Sequence, residues 1–239
     1  MSSFNEVGIS PDDSGKTGRI PLRCGGSINI EIKEIRKRVF LLKFNNQYDI
    51  TSTFMRLQEF YESPYKGIRG CYFTLEEYMD IYAKENGNFT YTTDWSGFNI
   101  PDNIVREFFR LFENKLLNKE RNLLDKISFL LNNDEKFYLI GVYKSHDLEH
   151  EISHAYYYLD KKYKKTMNLI TDKLDRNFFN DIYNKLLNMD YCKNVIMDEI
   201  QAYLATSNKA YLKRVLNLIN IDDIVNIYKE KFNDKDKYC

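Results

Sequence analysis

The chain of 239 residues has no net charge, because Lys+Arg and Asp+Glu each number 35. It therefore offers no electrostatic footprint for a nucleic acid or an anionic membrane as partner. No apolar run approaches the roughly 18 residues that a membrane-spanning helix needs. The opening "MSSFNEVGISPDDSGKTGRIP" has no apolar core of the secretory type, so the expected location is the cytoplasm. Leaderless export would leave the same pattern. The four cysteines, Cys24, Cys71, Cys192 and Cys239, show no C-x-x-C spacing. That argues against a cysteine zinc site and against a disulfide framework, and it fits reduced thiols. The final "DKYC" is not a prenylation box, since its cysteine is last. "SGKTG" lacks the upstream glycine and the preceding strand of a phosphate-binding loop. Histidine is scarce as well, and all three copies, His146, His150 and His154, fall within "HDLEHEISH".

What is present suffices for a sizeable core: 43% of residues are hydrophobic and 15% aromatic. The length allows one large domain or two small ones. Residues 1–20 read as a polar tail, 21–130 as an α+β region, and 131–239 as a mostly helical one. "SINIEIKEI" alternates Ile28, Ile30 and Ile32 with polar residues, the period of a half-buried strand, and "RVFLLKF" follows as a second strand. "TSTFMRLQEFY" spaces its apolar residues as a helix does. In "TLEEYMDIYAKE", Thr74 and Glu77 form a capping box. "YTTDWSGFNIPDN" reads as the longest irregular stretch; with the only tryptophan, Trp95, it could cover a cleft, line a pocket or plug the core. Pro101 opens a long helix with one possible break, and Phe137–Tyr143 is a short apolar strand. From Asp147 the pattern is helical, in four or five segments ending near Phe232. The expected fold class is α+β, predominantly helical.

The histidines carry the chemistry. Residues four apart on a helix lie about 40° apart in rotation and about 6 Å apart along the axis. His150 and His154 can therefore aim one ring nitrogen each at a single ion. Glu151 projects about 100° around the helix from His150, within reach of a water on that ion and clear of the ion itself. A third protein ligand must come from a carboxylate or from His146. Glu199 in "VIMDEIQAYLAT" is the best candidate, because Ala202 one turn on, and Ala155 on the histidine helix, let two helices approach closely. Asp198 is the alternative ligand, or else an acceptor for a histidine N–H.

"HEISHA" (150–155), followed by "EIQA" (199–202) on a later helix, resembles the gluzincin branch of zinc metallopeptidases, and is most similar to the lethal-factor-like group. The resemblance spans about residues 135–206. It implies a zincin-like helical half with the N-terminal sheet packed on it. It also implies zinc held by His150, His154 and Glu199, with Glu151 as general base in hydrolysis of a peptide or protein substrate. Tyr191 is the nearest match to the tyrosine that supports the oxyanion in that branch. A strand lining the cleft is usual there, and Phe137–Tyr143 is expected to fill that role by pairing with an extended peptide. Tyr203 stands where longer signatures of the branch place an aspartate.

Two rival readings keep the motif and drop the chemistry: a zincin scaffold used as a binding module, and a metal that only ties two helices together. The intact Glu151 favours the enzyme. "DKKYKK" (160–165) reads as a solvated helical face, and the tyrosine run at 156–158 as packing.

Overall fold

The computed structural model describes residues 28–95, 97–144, 148–189, 191, 193–218 and 221–234. The expected N-terminal tail and His146 lie outside the described residues. The fold is α+β and predominantly helical, and among the described residues no helix is long and apolar enough to cross a membrane.

Strands β1 (Glu31–Arg36) and β2 (Val39–Lys43) form an antiparallel hairpin. Its turn places Arg38 in the left-handed region, φ 63°. Helices α1 (Gln47–Glu62), α2 (Leu75–Asn86) and α3 (Tyr91–Asp94) follow. The chain then enters β3 (Gly97–Pro101), α4 (Asp102–Leu111), α5 (Asn118–Leu131) and β4 (Tyr138–Val142). The sheet order is β1-β2-β4-β3, with β4 parallel to β2 and antiparallel to β3. Six further helices complete the described chain: α6 (Leu148–Leu159), α7 (Lys161–Thr171), α8 (Arg176–Asn188), α9 (Ile196–Thr206), α10 (Lys209–Val215) and α11 (Asp222–Asn233).

Alternation along the strands sorts the core into two layers. Phe40, Leu42, Phe98, Ile100 and Leu139 face one cluster with residues of α1, α4 and α5. Val39, Leu41, Tyr138, Ile140 and Val142 face the other, with residues of α6, α7, α8, α9 and α11. The sheet is thus the partition between the two halves. α1 lies directly on it at Gly141, where an added Cβ would come within 2.8 Å of the Phe54 ring. That ring stacks on Phe98 at 5.3 Å.

The expected capping box is present: the Thr74 hydroxyl accepts from Glu77 N at 3.2 Å, and Glu77 accepts from Thr74 N at 2.7 Å. Three expectations need correction. α1 begins four residues before Thr51, because Asn46 caps it by accepting from Asp49 N. Among the described residues the helical region has six segments instead of four or five. The stretch expected to be irregular contains a short helix and a strand, because Phe98 and Ile100 on one face supply the alternation that Trp95, Gly97 and Pro101 obscure. The helix after Pro101 breaks at Phe112, as its pattern allowed.

One buried carboxyl in this half has a pH consequence. Glu59 is 2% exposed, and its Oε2 has no hydrogen-bond partner. Burial raises its pKa from the ordinary 4.5 to about 7, against the nearby Ser63, Tyr78 and Tyr91 hydroxyls, which lower it. Between those two values the unfolded chain releases the proton while the folded chain keeps it. Stability therefore falls as pH rises through this window, by about 3 kcal/mol in all. Glu59→Gln should melt higher than wild type near pH 8, by roughly 5–10 °C, and at much the same temperature near pH 5. Thermal unfolding at the two pH values checks this; an equal difference at both would remove Glu59 as the cause.

Candidate metal centre

α6 has eight consecutive buried residues, from His150 to Tyr157, because it is wedged between the sheet and the other C-terminal helices. Its closest helical neighbour is α9. Ala155 on α6 and Ala202 on α9 are both fully buried. The packing of α6 on α9 brings His150, His154 and Glu199 together, with one ligand-type atom from each within 4.8 Å of the others. This buried group could hold a metal ion. The two Nε2 atoms are 3.2 Å apart, and each is 3.8 Å from a Glu199 oxygen.

The partners of the opposite ring nitrogens fix which tautomer points inward. The Thr206 hydroxyl donates its only proton to Ala202 O at 2.7 Å. Its oxygen, 3.3 Å from His150 Nδ1, must then accept, which makes Nδ1 the N–H and leaves a lone pair on Nε2. Asp198 accepts from His154 Nδ1 at 2.9 Å, with the same result. Asp198 is in turn held by Gln201 Nε2 at 2.9 Å, and Gln201 by the Tyr163 hydroxyl at 2.9 Å, both in the buried layer. Asp198 is thus a support for His154, one of the two roles the sequence allowed it.

Two inward lone pairs and a carboxylate repel one another unless a positive charge sits between them. Without a metal, protons supply that charge. Burial alone would lower the pKa of His154, but the carboxylates of Asp198 and Glu199 outweigh it and raise it to about 10. Burial and the neighbouring His154 keep His150 well below its ordinary range. Burial also raises Glu199 to about 8; His154 opposes the rise, and Asp198 and Glu62 add to it. Glu199 Oε2 is buried with no hydrogen-bond partner. The Glu199 carboxylate and the two imidazole Nε2 atoms, once their protons are displaced, form a donor set that fits a small divalent cation.

Glu151 is 7% exposed, and its Oε2 accepts from Asn99 Nδ2 of β3 at 2.6 Å. Tyr191 is buried, and its hydroxyl lies 3.0 Å from that of Tyr203. The Tyr203 and His150 rings meet at a steep angle with centroids 5.0 Å apart, so Tyr191 is linked to the cluster through Tyr203. Burial, then the Glu199 carboxylate, push the Tyr191 phenol far up.

The expectation that Phe137–Tyr143 pairs with a peptide is overturned. β4 is an inner strand, with β2 on one side and β3 on the other, so its backbone groups are already used. A run apolar on both faces marks an inner strand of this kind. Among the described residues no strand pairs with the outer edge of β3. Sequence reasoning also missed Asn99, Thr206 and Gln201. Thr206 lies two turns after Glu199 on one helix face, a spacing that could have revealed it. Nothing in the residues around Asn99 announces a contact made 52 positions away.

No family model matches the chain, and neither a curated protein nor a solved structure matches it.

Proposed function

We propose that this protein is a zinc-dependent peptidase with His150, His154 and Glu199 as ligands and Glu151 as general base. The observation that carries this reading is the donor set with Glu151 beside it. Tetrahedral zinc with Zn–N bonds near 2.05 Å separates two ligand atoms by about 3.3 Å; the Nε2 atoms are 3.2 Å apart. His150, His154 and Glu199 would hold the zinc, which would acidify a bound water and polarise a carbonyl. Glu151 takes the proton of the attacking water and passes it to the leaving amine. Tyr191 is the proposed second support for the carbonyl oxygen, and its hydroxyl would have to leave Tyr203 to reach it.

The outer edge of β3 is the proposed seat of an extended peptide. Asp102 N donates to Phe137 O, and the register then turns the backbone groups of Gly97 and Asn99 away from β4, toward that edge.

Glu151→Gln keeps the shape of the side chain and removes the base. The variant should retain zinc and lose about 10²–10⁴-fold in turnover of a peptide cleaved by the wild type. The assay is digestion of a random peptide library read by mass spectrometry, on zinc-loaded protein. Undiminished cleavage by Glu151→Gln would sink the mechanism. A zinc-loaded wild type that cleaves nothing would favour the binding-module reading.

A further inference from the structure

Within the "DWSGFNIP" stretch, β3 (Gly97–Pro101) places Asn99 on the sheet face opposite Phe98 and Ile100, which is the face that α6 covers. From there Asn99 Nδ2 donates to Glu151 Oε2 at 2.6 Å. The other end of the same amide is fixed too. The hydroxyl of Tyr138, on the neighbouring strand β4, donates to Asn99 Oδ1 at 2.7 Å. Tyr138 is 2% exposed and its register partner is Pro101, so its ring stands two residues along from Asn99 on the same face. Because an ionised carboxylate can only accept, the amide N–H must face Glu151, which leaves the amide oxygen to accept from Tyr138.

We propose that Asn99, aligned by Tyr138, is the positioning residue of the general base. An amide N–H can only donate, so the oxygen it meets is best left unprotonated. A proton on Oε2 would weaken that oxygen as an acceptor. The bond therefore turns the carboxylate so that Oε1 is the oxygen that takes up and returns the proton. It also anchors Glu151 to the edge strand where the peptide is proposed to sit, so that base and scissile bond share one rigid frame. The catalytic consequence rests on the peptidase reading, whereas the hydrogen bond to Glu151 can be read without it.

The test uses the full chain loaded with zinc. Asn99→Ala and Tyr138→Phe should carry as much zinc as the wild type. They should lower kcat on a fluorogenic peptide chosen from the library by about a hundredfold, with KM within about twofold. A merely structural tie between β3 and α6 would change the melting temperature and leave kcat alone. In parallel, hydrogen exchange of the Asn99 side-chain amide, read by NMR with ¹⁵N-asparagine, should be slow in the wild type. It should become fast in Glu151→Ala. Wild-type kcat in Asn99→Ala, or an Asn99 amide that exchanges as fast in the wild type as in Glu151→Ala, would overturn the proposal. If the wild type cleaves no peptide, the peptidase reading falls and exchange alone decides. A protected amide then sustains Asn99 as the residue that holds Glu151, and an unprotected one removes it.

Discussion

Alanine at His150 or at Glu199 should leave the purified chain nearly free of zinc, against about one ion per chain in the wild type. The two residues come from different helices, and their ligand-type atoms lie within 4.8 Å in a buried group. Removing either leaves two donors, too few to hold the ion against dilution during purification. Loss of a residue that only supports a ligand costs about 10–100-fold in metal affinity. Loss of a ligand should therefore cost more than about a hundredfold. Asp198→Asn is the internal comparison: it weakens the hold on His154 without removing a donor to the ion, so it should keep zinc at reduced affinity. Elemental analysis of protein made without a histidine tag reads all three. Zinc retained in Glu199→Ala and lost in Asp198→Asn would exchange the roles of the two carboxylates. Protons compete for the same atoms. His154 holds a proton up to about 10 and Glu199 up to about 8 in the absence of metal, so zinc affinity should fall as pH drops below about 10 and more steeply below about 8.

Glu120→Ala should be the most destabilising single change in the N-terminal half, at about 3–5 kcal/mol, or roughly 10 °C in melting temperature. Arg56 and Glu120 are 2% and 1% exposed, and they form a two-pronged ion pair across the layer. Arg56 Nε donates to Glu120 Oε1 at 2.8 Å, while its other nitrogens reach Phe73 O at 3.2 Å and Lys115 O at 2.9 Å. Glu120 also accepts from Leu117 N at 2.7 Å, which starts α5. The pair thus joins α1, the approach to α2 and the break between α4 and α5. Alanine at 120 strands a buried guanidinium. Replacing both, as Arg56→Met with Glu120→Leu, should recover part of the loss, because no charge is then left unpaired. Thermal unfolding of both variants decides it. A double variant no better than the single one would mean that the carbonyls of Phe73 and Lys115, which lose their Arg56 donor only in the double variant, cancel the gain.

How much of this was legible beforehand depends on how local each signal is. The capping box at Thr74 and Glu77 spans four residues and was readable. So was the pairing of His150 with His154, which needs only one helix. Glu199 was a candidate because its helix carries a small residue where another helix must approach. Whether Glu199 or Asp198 faced the histidines was open, since adjacent residues on a helix point about 100° apart and the crossing geometry chooses between them. β3 was hidden because only Phe98 and Ile100 carry its apolar face, too few for a period of two to stand out beside Gly97 and Pro101. β4 was visible as a strand, but its place inside the sheet was not, because order in a sheet is set by partners far along the chain.

The sequence by itself therefore determined the balance of helix and strand, the turn of helix bearing two histidines and a carboxylate, and the lack of charge bias toward a polyanion. These depend on residue type and short spacing. Only the tertiary structure decided which carboxylate joins the histidines and which oxygen of Glu151 is held. It likewise decided that Asn99, held by Tyr138, bonds to Glu151, and that a buried ion pair fastens three helical segments. Each of these is a contact between residues 39 to 64 positions apart. Such contacts exist only once the sheet has separated the two halves of the core and the helices have settled on its faces.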